Sequence, residues 1–166
     1  GLDKPVLEGY FVWLGKAFHG EFGESWIFHQ PVTKKFSSVI WYSFVLALAS
    51  FLLEIIIAIP LGIISATKQY SRVDYAVTVF ALIGISLPSF FFATILKWIF
   101  SINLKWLDLY GIVGRMHESY SSVGKVLDMA QHLILPVITL TIVSVGSLMR
   151  YTRTNMLEVL NADYIR

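Results

Sequence analysis

Few residues of this sequence could do chemistry in apolar surroundings, and one of them stands alone. Glu54 is the single charge in the 26-residue run Val39–Ile64, "VIWYSFVLALASFLLEIIIAIPLGII". A carboxyl group deep in a bilayer is costly and by default faces protein or a water-filled cavity. Glu54 therefore either lines a polar pathway or hydrogen-bonds a neighbouring helix. A second constellation is "GISLPSF", where Ser86 and Ser89 flank Pro88. Proline removes a backbone donor, and the freed carbonyl beside two hydroxyls puts polar atoms inside an apolar stretch. These atoms either line a pathway or merely repair the proline locally. Lys97 is no partner for Glu54. In antiparallel spans Glu54 lies 15 residues from the outer end and Lys97 only 3, about 18 Å apart in depth at ~1.5 Å per residue. Lys97 instead snorkels to the outer surface beside Trp98.

Other chemistries lack their parts. There is no cysteine, which removes disulfides, thiolate metal sites and cysteine nucleophiles. The four histidines, His19, His29, His117 and His132, fall outside the apolar runs and share no ligand spacing, so no metal is expected. No GxxxxGK[ST] occurs, so the chain has no phosphate cradle and no ATPase activity of its own. No Ser/His or Asp/Asp pair lies within the runs, and no catalytic residue is expected. A net charge of +2, scattered along the chain, leaves no nucleic-acid footprint.

The elements that must position these residues are membrane spans. Hydrophobic residues make up 56% of the 166 and charged ones 14%, well below the quarter typical of soluble domains. Tyr75–Phe100 is a second 26-residue apolar run with one charge, Lys97, and Leu133–Met149 is a third, of 17 uncharged residues. A bilayer core needs about 20 apolar residues in a helix. Pro60, Pro88 and Pro136 put one proline in each run. The fold expected is all-α: a polytopic transmembrane helical bundle with spans at 39–64, 75–100 and 133–149, and a tail at 150–166. Residues 1–38 form an outer N-terminal segment. Asp3 caps a helix with Pro5 in its first turn, and Val6, Leu7, Tyr10, Phe11, Trp13, Leu14 and Phe18 make an apolar face. "PVTKKF" begins a helix at headgroup level, with Lys34 and Lys35 toward lipid phosphates. Lysines and arginines number five in the 27 residues 65–74 and 150–166, against seven in the 70 residues on the other side. That density places the short loop and the tail in the cytoplasm. "GLDKP" has no initiator Met and no signal-peptide pattern follows it, so a fragment or processed chain is expected.

The series "LDKPVLEGYFVWLGKAFHGEFGES", "AIPLGIISA", "GISLPSFF", "LILPVITLTI" and "RYTRTNMLEVLNADYIR" resembles the permease subunit of the oligopeptide/dipeptide/nickel family of ABC importers. The resemblance covers nearly the whole chain. It implies a type I importer permease of a prokaryotic inner or plasma membrane, forming part of a peptide translocation path. It also implies partners: a second permease subunit, two cytoplasmic ATPase subunits that use ATP and Mg, and an extracellular or periplasmic substrate-binding protein. On this reading the chain holds the second to fourth of six spans. Arg153, Met156, Leu157, Glu158, Leu160, Asp163 and Tyr164 then lead into a coupling helix that would begin after Arg166. The competing reading is a fragment of a proton-coupled secondary transporter with Glu54 as the carrier. The substrate itself (dipeptide, longer peptide, nickel or sugar) is left open.

Overall fold

The computed structural model describes residues 5–162. Asp3, Asp163 and Tyr164 lie outside the described residues. Two compact units divide at Val45, residues 1–45 and 46–166, and the division falls inside one long helix.

In the first unit, helix α1 runs Val6–Phe18 with Pro5 at its N-cap. Gly20 and Gly23, both in the left-handed region at φ 83° and 82°, end it and turn the chain. Strands β1 (Glu24–Ser25) and β2 (Gln30–Pro31) then pair antiparallel, Glu24 opposite Pro31. Helix α2 starts immediately at Val32, and the Lys35 ammonium sits 4.2 Å over the Phe28 ring.

Helix α2 continues to Thr67 and contains the whole first apolar run. A short turn leads to α3, Arg72–Ser86, whose N-cap Ser71 accepts a hydrogen bond from the Asp74 amide. The second apolar run is broken at its proline. Leu87 is extended, at φ −81° and ψ 124°, because the proline ring that follows disfavours the helical region. Helix α4, Ser89–Lys97, restarts from Pro88 and leaves at 97° to α3 once its continuation is included. That continuation is a wider π-helical turn, Trp98–Asn103. Helix α5, Ser122–Leu160, takes the third run together with the tail in one unbroken helix, capped by Ser121. Pro60 and Pro136 sit inside α2 and α5 without ending them. By length and composition α2 and α5 could each cross a membrane, and the bent pair could form a third span.

The second unit is organised around α5, against which α3 and α4 pack. Its core is small: Ala58, Ala81, Val145 and Met149, with Ile57, Leu61, Val77 and Leu148 against them. Backbones approach closely where residues are smallest, the usual device where hydrophobic driving force between helices is absent. A Cβ added at Gly146 would stand 2.5 Å from the Ala81 carbonyl oxygen, and one at Gly84 2.5 Å from that of Ile142. At Gly62 it would meet Thr152 Cβ at 2.7 Å. The Thr141 hydroxyl donates to the Ser50 carbonyl at 3.3 Å, a buried bond between helices.

Candidate functional site

The break at Pro88 turns Ser89 into a cleft of about 320 Å³ between helices. Leu46, Phe90, Lys97, Leu135, Pro136 and Thr139 also line it, so the cleft is mostly apolar, with two hydroxyl residues and one lysine in its lining. Ser86 and Pro88 are exposed on the α3–α4 corner and do not line it. Glu54 is half-buried on α2, also outside this cleft, and has no hydrogen-bond or ion-pair partner among the described residues. We expect Glu54→Gln to insert and assemble normally and Glu54→Lys to lower the yield of assembled protein. Detergent size-exclusion profiles check this. Higher stability of Glu54→Leu than of the parent would instead show a lipid-facing accident.

At the other end of α3 three side chains distant in sequence meet. Asp74 precedes the apolar run that opens at Tyr75, and Arg153 follows the run that closes at Met149. The Arg153 guanidinium forks onto the carboxylate, Nε to Oδ1 at 3.0 Å and a terminal nitrogen to Oδ2 at 3.0 Å. Arg153 Nε also donates to Ser65 Oγ at 3.1 Å, and the Ser65 hydroxyl donates to Asp74 Oδ1. The Tyr70 amide adds a bond to Oδ2 at 3.0 Å. Asp74 is 4% exposed and Ser65 fully buried. The Arg153 and Ser65 hydrogen bonds outweigh burial and hold the Asp74 carboxyl at about 2, well below the usual carboxylate range. This clasp ties the end of α2 and the start of α3 to α5. Of its members the sequence reading singled out only Arg153. The available signal was Ser71-x-x-Asp74, a helix-start pattern with an acid at its third helical position.

A second polar cluster forms at the opposite end, between the long loop and the start of α5. The Gly114 amide donates to both Asp128 oxygens, at 2.9 and 3.2 Å, and His117 Nδ1 donates to Oδ2 at 2.6 Å. Chiefly through the Gly114 bond, the Asp128 carboxyl is held below its ordinary value. His132 packs one turn further along α5, its side chain 2% exposed. Two histidines that share no sequence spacing are thus gathered about one carboxylate. Among the described residues no group of three or more His, Asp or Glu is placed to hold a metal ion.

Residues 58–166, which contain the clasp, the second cluster and all of the cleft's lining except Leu46, match the sequence profile of the binding-protein-dependent transport system inner membrane component. The chain belongs to that family. It is 38% identical over its full length to the oligopeptide transport system permease protein AppB of Bacillus subtilis, covering 51% of that protein. It is 37% identical to a putative peptide permease protein of Brucella suis, again over 51% of it. It is 34% identical to the oligopeptide transport system permease protein OppB of Salmonella typhimurium, over 50% of it. The chain spans about half the length of these curated relatives. None of these matches supports the secondary-transporter alternative.

In this inner membrane component the last described turns belong to α5 itself. Met156 and Leu157 are half-buried, Glu158 is exposed and Leu160 is 37% exposed. Among the described lead-in residues, Arg153 is the one drawn into a buried network. Lys97 lies 4.7 Å over the Tyr110 ring of the long loop.

Proposed function

We propose that this chain is part of the permease subunit of an ATP-driven importer, contributing to the path by which peptides cross a prokaryotic plasma membrane. The observation that carries this reading is similarity along nearly all of this chain to about half the length of proteins named as peptide permeases, together with the family match. The chain itself is not the ATPase. ATP and Mg act in two cytoplasmic ATPase subunits, a second permease completes the membrane part, and an external binding protein delivers the peptide. Ser89, which lines the cleft at the α3–α4 break, is the residue we assign to that path. Met156, Leu157, Glu158 and Leu160, with Asp163 and Tyr164 beyond the described residues, lead toward the ATPase contact.

The deciding experiment is peptide uptake by the complete transporter in proteoliposomes. Uptake is expected to require ATP, to stop when the ATPase subunits are omitted and to survive a protonophore. Uptake driven by a pH gradient without ATP would refute the reading. Orientation has its own check, which uses the absence of cysteine from this chain. Gln69, exposed in the α2–α3 turn beside Lys68 and Arg72, is replaced by Cys. We expect no labelling by an impermeant reagent in intact cells and full labelling after permeabilisation. Ser71 is avoided because it caps α3.

A further inference from the structure

His132 is placed so that one of its two charge states fits its surroundings and the other does not. Its Nδ1 lies 2.8 Å from the Asp128 carbonyl oxygen, which can only accept, so that nitrogen carries a proton in either state. The difference falls on Nε2. This atom is buried, and the group facing it at 3.3 Å is Asp108 Oδ2. A cationic ring donates from Nε2 to the carboxylate and satisfies both groups. A neutral ring turns a lone pair toward an acceptor, and the buried nitrogen is left unpaired. The imidazole is 2% exposed, so water is no substitute, whereas the Asp108 side chain is 60% exposed and is free to leave for water.

The other charged and titratable groups near the ring come from each element packed around it. On α5 itself the Asp128 carboxylate stands 3.7 Å from Nδ1 and favours the cation. From the short helical turn His117–Ser119, His117 Nδ1 meets Asp128 Oδ2 at 2.6 Å, a bond that an imidazole donates in either charge state. From the long loop, Asp108, Tyr110, Arg115 and Tyr120 share a cavity of about 520 Å³ with His132. From α4, Lys97 shares a second cavity with it, of about 240 Å³. Lys97 lies over the Tyr110 ring, and among the described residues neither it nor Arg115 forms an ion pair with Asp108. Lys125 is taken up by Glu118 at 2.6 Å. The loop backbone comes close as well. A Cβ added at Gly114 would stand 2.7 Å from Asp128 Oδ1 and 3.6 Å from His132 Cε1.

We propose that residues 107–111 form a proton-sensitive strap: protonation of His132 docks them on α5 through Asp108, and loss of that proton releases them. Docking takes up a proton, so it strengthens as pH falls. It is lost as pH rises through the range, about 5 to 8, in which histidine ordinarily changes charge. Gly114 and His117 hold Asp128 in both states and form the fixed end of the strap. The free end carries Leu107, Leu109 and Tyr110, which with Leu135 and Pro136 line the smaller cavity. Lys97, Leu135 and Pro136 also wall the cleft that holds Ser89, so release of the strap opens the approach to that cleft. The strap is independent of what the transporter carries.

The test is amide hydrogen exchange at residues 107–111 in the complete permease, assembled with its partner subunits in nanodiscs, at about pH 5.5 and about pH 8. Each rate is divided by the intrinsic rate at that pH, and residues 139–149 of α5 serve as the reference. In the parent, protection of the strap is expected to fall about tenfold from the lower to the higher pH while the reference stays level. Asp108→Asn is the discriminating variant, and the exposure of Asp108 makes it safe for folding. Its amide accepts from a cationic ring and donates to a neutral one, so protection becomes independent of pH. His117→Gln keeps a donor to Asp128 and is expected to keep the parent's pH response. Strap protection that is level or rises with pH in the parent, a fall shared by the reference, or a fall that persists in Asp108→Asn would each overturn the proposal. Loss of the response in His117→Gln would move the switch to that histidine and overturn its assignment to His132.

Discussion

Arg153→Ala is expected to lower the stability of the folded protein by about 3–5 kcal/mol, the range for removing one partner of a buried ion pair. The reason is what remains behind. Asp74 is 4% exposed and would keep only the Ser65 hydroxyl and the Tyr70 amide. The reciprocal change, Asp74→Ala, is expected to cost less. Arg153 is 29% exposed at its side chain and can swing its guanidinium to water or to lipid phosphate. Arg153→Lys falls between them, because an ammonium cannot reproduce the two-pronged fork. Thermal unfolding in one lipid-detergent mixture should rank the parent first, then Asp74→Ala, then Arg153→Lys, with Arg153→Ala last. Equal loss from Arg153→Ala and Asp74→Ala would remove the argument from burial. The clasp also has a defined pH response. Its carboxyl is depressed when folded, so its contribution is present above the ordinary value of 3.8 and is lost only as pH falls toward about 2. Between pH 5 and 8, as an approximate working range, the difference between parent and Arg153→Ala should stay flat.

Gly146→Leu should prevent α3 and α5 from packing at all. Even a Cβ at this position would stand 2.5 Å from the Ala81 carbonyl oxygen and 3.0 Å from Ile85 Cγ1. The first of these neighbours is helix backbone, which cannot rotate out of the way as a side chain can. Gly146→Ala already falls in the overpacking class, about 1–3 kcal/mol, and leucine exceeds it. Gly84→Ala meets the Ile142 carbonyl at 2.5 Å and should behave alike. The control is Gly15→Ala in α1, where nothing lies within 4 Å. There a helix interior gains a better helix former, and about 0.5–1 kcal/mol of stabilisation is expected. Thermal unfolding separates the two classes. A tolerated Gly146→Leu would mean that α3 and α5 are further apart than described here.

Much of the architecture was legible in the residues one after another. Apolar runs of bilayer length, with charges only at Glu54 and Lys97, mark helices whatever they pack against, because hydropathy along a helix is a local property. The apolar spacing from Val6 to Phe18 and the glycines after it likewise mark α1 and its end. Pro88 announced a disturbance, since a proline restricts its own backbone and that of its predecessor. Pro60 and Pro136 announced the same, yet both helices run through them. Which proline becomes a 97° corner depends on what the chain packs against on either side. The candidate sites depend on that even more. Ser65 and Arg153 are 88 residues apart, and Asp74 and Arg153 are 79 apart. Nothing in their spacing pairs them. They meet because Gly62, Gly84 and Gly146 let helix backbones close to within contact, which fixes where each helix end arrives. His132 read as one of four scattered histidines until the long loop folded back and set Asp108 against it. Local sequence dictates which segments are helical and which residues are dear to bury. The meeting of those residues is a consequence of how helices cross, and crossing is settled only when side chains from distant segments compete for the same space.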